Sequence, residues 1–228
     1  MRGDIVVVEK QHTDAAAVIV DALFERIKKT KHVLCISVAG ESGSGKSEIG
    51  EALKNELKIK GVSSIVLGQD DYFVLPPKSN DEKRREDPKW LGPHLEVKMD
   101  ELDSSLSKAK SGDAQISTPV IEYDQSLITR ETIELKDIKT VIVEGTYTSL
   151  LKNVDIRIFI DRTREDTLEH RAKRNRGNEV NDPFIETLLD VEHKIIAGHK
   201  QLADVIVTKH YTVEIPLHSH LNQELHEA

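Results

Sequence analysis

The stretch GESGSGKS, residues 40–47, decides the fold of this chain. It fits the pattern G-x-x-x-x-G-K-[ST], in which glycines allow backbone N–H groups to approach a cluster of phosphate oxygens. The apolar run VLCISVA, residues 33–39, leads directly into it, and residues 48–57 behind it have the pattern of a helix. This order of strand, turn and helix predicts a phosphate-binding loop, because an accidental glycine-rich turn would leave the Gly-Lys-Ser order unexplained.

The residue types in the loop suit a triphosphate and a magnesium ion. Lys46 supplies a positive charge for the β- and γ-phosphate oxygens, and Ser47 supplies a hydroxyl ligand for Mg²⁺. The backbone N–H groups would face the phosphates at the positive end of the following helix. The expected nucleotide-binding residues are the motif and the acidic residue after it: Gly40, Glu41, Ser42, Gly43, Ser44, Gly45, Lys46, Ser47 and Glu48.

Composition and charge exclude several classes of protein. The 228 residues can bury a substantial core as a single α/β domain, so no second domain is expected. The net charge of −8 gives no basic footprint for nucleic acid. No apolar run is long enough for a membrane span or a signal-peptide core, which favours a cytoplasmic location without membrane contact. The single cysteine, Cys35, excludes disulfides within the chain and reads as a small buried hydrophobe.

Acidic residues follow two of the predicted core strands. Asp70 and Asp71 come shortly after the second β-rich run, and Glu144 directly follows the third. In an open parallel sheet, ligands gather beyond the carboxyl ends of the strands. An isolated Asp-Asp pair would be read as a plain turn, because aspartate is common in turns. After a phosphate loop and its helix, a role of the pair in the site is favoured instead. We therefore expect Asp70 to act as the base on an attacking hydroxyl, and Ser47, Asp70 and Glu144 to form the magnesium site.

The N-terminal extension, residues 1–32, has the pattern of a packing helix that precedes the first core strand. Thr13 or Asp14 would cap this helix, and the short apolar run at residues 5–8 could form a strand. The pattern therefore favours packing for this helix and indicates no further role of the extension.

Residues 74–93 are polar and rich in proline, which predicts a long irregular loop. The loop either covers a substrate or is a plain surface excursion, and Trp90 within it would anchor the loop or stack on a ligand. Two further runs, residues 116–123 and 132–135, predict an inserted hairpin. Its polar connection, residues 124–130, could reach the site.

Apolar runs predict the fourth and fifth core strands, at residues 155–160 and 203–207. The loop after the fifth strand, residues 208–211, is a candidate wall for adenine. Arg171 and Arg174 share one face of a predicted helix between these strands. These two arginines could simply be a charged helix end that faces solvent, without a role in a site. Beside a bound triphosphate, however, guanidinium groups from a mobile segment could neutralise the charge that develops during phosphoryl transfer.

The chain resembles the phosphoribulokinase and uridine kinase group of P-loop kinases, and the uridine kinases most closely, over about residues 33–207. The segments that carry the resemblance stand in the family's order: GESGSGKS, GQDDYF, PVIEYD, VIVEG, IFIDRTREDTLEHRAKRNR and LADVIV. The resemblance implies a P-loop NTPase fold of the α/β class, with a five-stranded parallel sheet, helices on both faces, an inserted β-hairpin and a mobile lid at about residues 171–183. It also implies ATP with Mg²⁺, and it leaves a homo-oligomer open.

The resemblance assigns roles to single positions. Asp70 matches the aspartate that acts as base on the acceptor hydroxyl, and Tyr123 matches a tyrosine that contacts the substrate. Arg171 and Arg174 match the lid arginines, which join Asp70 and Lys46 as the expected catalytic residues. The expected substrate-binding residues are Asp70, Tyr72, Trp90, His94, Tyr123, Arg130 and Arg171.

Some positions depart from the family's pattern on the acceptor side. Uridine kinases usually hold the ribose hydroxyls with the aspartate of an Asp-His-Pro turn, and residues 91–94 read LGPH here. Ile128 stands where those enzymes carry a histidine that faces the pyrimidine. The lid is also shorter and lacks the arginine-glycine-arginine ending. These losses weaken the case for uridine, because specificity for a hydroxyl-rich ligand depends on paired buried polar groups.

Together these features predict an ATP-dependent kinase of a small soluble molecule with a hydroxyl group. A nucleoside, uridine or cytidine, is the first candidate acceptor. A sugar, polyol or sugar acid is the alternative, since its hydroxyls could use Trp90, His94, Glu96 or Arg130. A hypothesis of another class is an ATP-dependent switch or ATPase without an acceptor, against which Asp70 and the lid arginines argue.

Overall fold

The computed structural model describes residues 6–122, 127–167, 182–219 and 221 of the chain. The α-helices are α1 (Lys10–Lys29), α2 (Lys46–Ile59), α3 (Pro77–Glu86), α4 (Met99–Ser111) and α5 (Pro183–Ile196). The strands are β1 (Leu34–Gly40), β2 (Ser64–Gly68), β3 (Gln115–Glu122), β4 (Leu127–Glu134), β5 (Thr140–Glu144), β6 (Ile156–Asp161), β7 (Val205–Thr208) and β8 (Val213–Glu214). Short 3₁₀ turns lie at Gln69–Tyr72, Pro88–Trp90, Thr148–Leu150 and His199–Leu202.

The central sheet has the strand order β2-β5-β1-β6-β7-β8. The first five strands in this order run parallel, which confirms the predicted parallel sheet. β8 is an addition to the prediction and pairs antiparallel with β7. It is two residues long, too short for an alternating pattern to be visible in the sequence. β1 lies inside the sheet with all seven of its residues buried, so the phosphate loop follows a rigid strand.

Helices cover both faces of the sheet. On one face Ile36 of β1 belongs to a core with Leu23 of α1 and Leu53 of α2. On the other face Cys35 of β1 belongs to a core with Leu106 of α4. β1 contributes to both cores because successive side chains of a strand point to opposite faces. No helix among the residues described above is long and apolar enough to cross a bilayer.

Two boundaries in the extension differ from the prediction. α1 begins at Lys10, ahead of Thr13 and Asp14, because its N-cap is Glu9, whose side chain forms a capping box with His12. The Nδ1 atom of His12 accepts a hydrogen bond of 2.9 Å from the backbone N–H of Glu9. Residues 6–8 form no strand.

Residues 74–93 are more regular than predicted. They contain α3 and the 3₁₀ turn at Pro88–Trp90. Pro77 starts α3 because its fixed φ suits the first helical turn, where a missing N–H costs nothing. The remaining residues of α3 are polar, so no apolar period marks it as a helix.

The inserted hairpin is present with a shifted boundary. β3 and β4 pair antiparallel, with Glu122 opposite Leu127, so β4 begins five residues ahead of the predicted start at Thr132. Polar residues alternate along this exposed strand, which is why its first half reads as a loop in the sequence.

Candidate active site

The phosphate loop is the turn between β1 and α2. Gly45 occupies the N-cap of α2 with a φ of +100°, a left-handed conformation that glycine adopts without a steric penalty. The turn thereby brings the backbone to the N-terminus of α2, where unpaired N–H groups favour anions. Lys46 opens the helix, and its Nζ donates a hydrogen bond of 2.9 Å across the turn to the carbonyl oxygen of Glu41. This geometry is the one that the sequence motif predicts.

Carboxylates from β5 and from the turn after β2 meet beside this loop. Glu144, the last residue of β5, lies opposite Gly68 of β2, and its Oε2 accepts a hydrogen bond of 3.2 Å from the hydroxyl of Ser47. Asp70 lies in the 3₁₀ turn that follows β2. Burial, and then the charge of Asp70, raise the pKa of the Glu144 carboxyl.

This donor set fits a magnesium ion. One hydroxyl and two carboxylates supply the oxygen ligands that Mg²⁺ prefers, and water or phosphate oxygens usually complete its shell. A divalent cation would also offset the repulsion between Asp70 and Glu144, which the charge of Lys46 counters only in part. A Cβ atom added at Gly45 would lie 2.6 Å from the hydroxyl oxygen of Tyr211, so only glycine fits at this point of the turn.

Asp71 has a different role from its neighbour. Its Oδ1 accepts a hydrogen bond of 2.9 Å from the backbone N–H of Ile121, so it ties the turn after β2 to the inserted hairpin. Asp70 is the aspartate of the pair that interacts with Glu144.

α5 holds the first half of the phosphate loop through contacts that the sequence did not predict. The carboxylate of Glu192 accepts hydrogen bonds from the backbone N–H and the hydroxyl of Ser42, at 2.7 and 2.8 Å. The Nδ1 of His193 lies 2.6 Å from Oε1 of Glu41, whose Oε2 accepts the backbone N–H of Arg164 at 2.6 Å. Protein groups therefore engage the side chains of both loop residues. No local signal could reveal partners 150 residues apart.

Tyr211 supports the second half of the loop. Its hydroxyl donates to the carbonyl oxygen of Ser44 at 3.3 Å and accepts a hydrogen bond of 2.5 Å from Nη1 of Arg162. The ring of His12 packs edge-on against the tyrosine, with 4.7 Å between the ring centroids. Tyr211 is buried by these contacts and supports the phosphate loop, so the predicted adenine wall at residues 208–211 is corrected for this residue.

Two predicted substrate contacts lie elsewhere. Tyr72 is 1% exposed in the core under α4, and its hydroxyl is 3.2 Å from Oγ of Ser105. Arg130 lies within β4, where its guanidinium binds Oε1 of Glu101 at 2.7 Å and the carbonyl oxygen of Ser117 at 2.9 Å. Both expectations are corrected: core packing occupies the tyrosine, and the early start of β4 turns the arginine to an exposed face.

Of the remaining predicted contacts, two lie in the described part of the chain and three do not. Trp90 donates from Nε1 to Oδ1 of Asn80 at 2.7 Å, so it anchors its segment, and His94 is exposed. Tyr123, Arg171 and Arg174 lie outside the described residues.

The sheet, the phosphate loop after its inner strand and the carboxylates beyond the neighbouring strands define the class of P-loop kinases. The model of the phosphoribulokinase / uridine kinase family matches residues 35–216, and the chain belongs to this family.

Relatives of the chain are named as kinases of different acceptors. It is 27% identical over 203 residues to a bifunctional alpha-galactosidase/sucrose kinase of Mediterraneibacter gnavus, a match that covers 82% of this chain and 22% of the relative. It is 30% identical over 196 residues to the uridine kinase of Shewanella pealeana, covering 79% of this chain and 90% of the relative. The chain therefore spans about a fifth of the first relative and most of the second.

A solved structure shows the same fold. The D-glycerate 3-kinase of Cryptococcus neoformans aligns with a TM-score of 0.60 at 15% identity, over 91% of this chain and 99% of that one.

Proposed function

We propose that this protein transfers the γ-phosphoryl group of ATP to a hydroxyl of a small-molecule acceptor, with Asp70 as the base. The observation that carries the proposal is that Glu144, which is hydrogen-bonded to Ser47, and Asp70 follow neighbouring strands beside the phosphate loop. A carboxylate beside the phosphate site can accept the proton of an attacking hydroxyl. Because the transition state is loose, positioning and charge stabilisation would supply most of the acceleration.

On the donor side, Lys46 would neutralise the β- and γ-phosphate oxygens. Ser47, Asp70 and Glu144 would hold Mg²⁺, directly or through water, and the ion would supply further neutralisation of the phosphate charge. Arg171 and Arg174 are proposed to approach the same phosphates.

For the acceptor we favour a sugar or polyol over a pyrimidine nucleoside. Leu91 is buried and apolar, and Ile128 is apolar as well, so the two positions that would pair ribose and pyrimidine carry no polar group. The similarity to a sucrose kinase over most of this chain supports the same choice. Uridine or cytidine is the second candidate, favoured by the similarity to uridine kinases.

ADP release by the full chain with Mg²⁺-ATP tests both the reaction and the acceptor class. The acceptors are sucrose, D-fructose, a polyol, D-glycerate, uridine and cytidine. Asp70→Asn should lower acceptor-stimulated turnover by about a hundredfold or more, the usual range for loss of a general base. Asp71→Asn is the matched control, because an asparagine oxygen can still accept the Ile121 N–H bond, and we expect near-wild-type turnover.

The outcomes separate the hypotheses. Stimulation by a sugar or polyol that Asp70→Asn loses supports the proposal, whereas stimulation only by uridine or cytidine keeps the mechanism and replaces the acceptor. ATP turnover that no acceptor changes would favour a nucleotide-dependent switch or ATPase. Absence of Mg²⁺-ATP binding by calorimetry would contradict the kinase function altogether.

A further inference from the structure

A mixed cluster of ionisable side chains lies between the segment after β2, the loop after β5 and α5. It consists of Arg84 of α3, Glu96, Tyr147 and Glu192. Nε of Arg84 donates to Oε2 of Glu96 at 2.8 Å. The guanidinium also interacts electrostatically with Tyr147 and Glu192, so the four groups share one region of the molecule. None of them has been given a direct role toward the nucleotide above, although Glu192 supports the phosphate loop through Ser42.

Glu96 holds this cluster in place. It is fully buried, and its Oε1 accepts a hydrogen bond of 3.0 Å from the backbone N–H of Gly92. Asn80, which holds Trp90, lies 3.5 Å from the other carboxylate oxygen. Glu96 thereby orients Arg84 through Nε. The two terminal amino groups of that guanidinium make no hydrogen bond within the described residues, which leaves a planar fork of donors for oxygen atoms.

Tyr147 joins the cluster to the proposed base. It is 2% exposed, and its backbone N–H donates to Oε1 of Gln69, the residue before Asp70, at 2.7 Å. The phenol hydroxyl lies beside Glu96. It makes no hydrogen bond of standard geometry to any described residue, although its oxygen is buried. A buried hydroxyl beside a carboxylate can pair with a ligand hydroxyl that enters the cluster.

Glu192 joins the cluster to the phosphate loop. Its carboxylate binds both the N–H and the hydroxyl of Ser42, and it interacts with the charge of Lys46. The cluster is therefore connected to Asp70 on one side and to Lys46 on the other. The acceptor hydroxyl and the transferred phosphoryl group must meet between these two residues.

We propose that Arg84, Tyr147 and Glu192 form the acceptor-binding pocket and that they select a polyhydroxylated ring, such as a sugar. The inference rests on the proposed kinase function and names the residues that its acceptor contacts. The guanidinium fork donates to neighbouring ring oxygens, while the phenol and the carboxylate bind further hydroxyl groups. A pyrimidine nucleoside carries hydroxyls only on its ribose, so its base would match these groups less well than a second hydroxyl-rich ring would.

Two conservative variants test the pocket in the full chain. Tyr147→Phe removes only the hydroxyl, and Arg84→Lys keeps the charge but loses the fork. Arg85→Lys is the matched control, since Arg85 is the next residue of α3 but binds Asp81 and Asp182. We expect the KM for the stimulating sugar to rise about tenfold or more in both test variants. The affinity for Mg²⁺-ATP and the unfolding temperature should stay close to wild type, and the control should match wild type throughout.

Two measurements keep failure of the pocket distinct from failure of the kinase proposal. If a sugar stimulates the wild type and both variants keep its KM, the pocket assignment is overturned while the kinase function stands. If no acceptor stimulates ADP release, calorimetry with sucrose and D-fructose gives a readout independent of turnover. Sugar binding that Tyr147→Phe loses would then support the pocket without the reaction, and absence of sugar binding would overturn it.

Discussion

The side-chain oxygen of Gln69 accepts a hydrogen bond of 2.7 Å from the backbone N–H of Tyr147. This bond crosses from the turn that carries Asp70 to the loop after β5. Gly145 lies at the crossing with a φ of +154°, and a Cβ atom added to it would be 2.2 Å from Cβ of Gln69. The two segments can approach this closely only because residue 145 has no side chain.

Gly145→Ala should therefore disturb both stability and turnover. The added methyl group must displace Gln69, which we expect to cost about 2 kcal/mol in the free energy of unfolding and to lower kcat at least about tenfold through Asp70. Denaturant unfolding and ADP release measure the two effects. Gly198→Ala is the control, because no heavy atom lies within 4 Å of the added Cβ. A Gly145→Ala protein with wild-type stability and kcat would contradict this account.

Tyr211→Phe should weaken nucleotide binding. The change removes the hydroxyl that binds Ser44 and Arg162 but keeps the ring against His12. Loss of this support of the phosphate loop should cost about 1 kcal/mol, or about fivefold in Kd for Mg²⁺-ATP by calorimetry. Tyr72→Phe is the comparison, since it also removes a buried phenol hydroxyl but lies in the core under α4. Equal loss of affinity in both variants would show that the effect is not local to the loop.

The thiol of Cys35 should be unreactive in the folded protein. Burial, and then the carboxylate of Asp155, raise its pKa to about 12, so little thiolate forms near pH 8. We expect labelling by a disulfide reagent to be about a thousandfold slower in the folded chain than in denaturant. Because the chain has a single cysteine, the signal reports this position alone. Rapid labelling without denaturant would show that β1 is accessible.

His199 should make stability sensitive to mild acid. Burial lowers its pKa below the ordinary 6.5, and Oγ of Ser149 lies 2.9 Å from its Nδ1. A lowered pKa in the folded state means that the unfolded chain binds the proton more readily, so this contribution to stability is present above pH 6.5 and lost as the pH falls below it. Unfolding of the wild type and His199→Asn between pH 7.5 and about 5 measures the difference. Parallel stability curves would refute the assignment.

Much of the fold could be predicted because its signals are local. Apolar runs mark the five parallel strands, and the Gly-Lys-Ser order marks the turn between β1 and α2. The polar helix α3 and the first half of the exposed strand β4 escaped prediction, since neither buries a regular apolar stripe. Side-chain positions were harder still. Tyr72 stands beside two acidic residues in the sequence, yet its ring is buried under α4.

The sequence by itself determined the class of fold, the phosphate loop and the acidic residues at the strand ends. Strand and helix periods and turn chemistry depend on neighbouring residues, and parallel pairing brings strand ends to one edge. Only the tertiary structure decided which groups support that edge: Glu192 on Ser42, Tyr211 on Ser44 and Arg84 on Glu96. These contacts depend on how separate segments pack in three dimensions, and no local period encodes that packing.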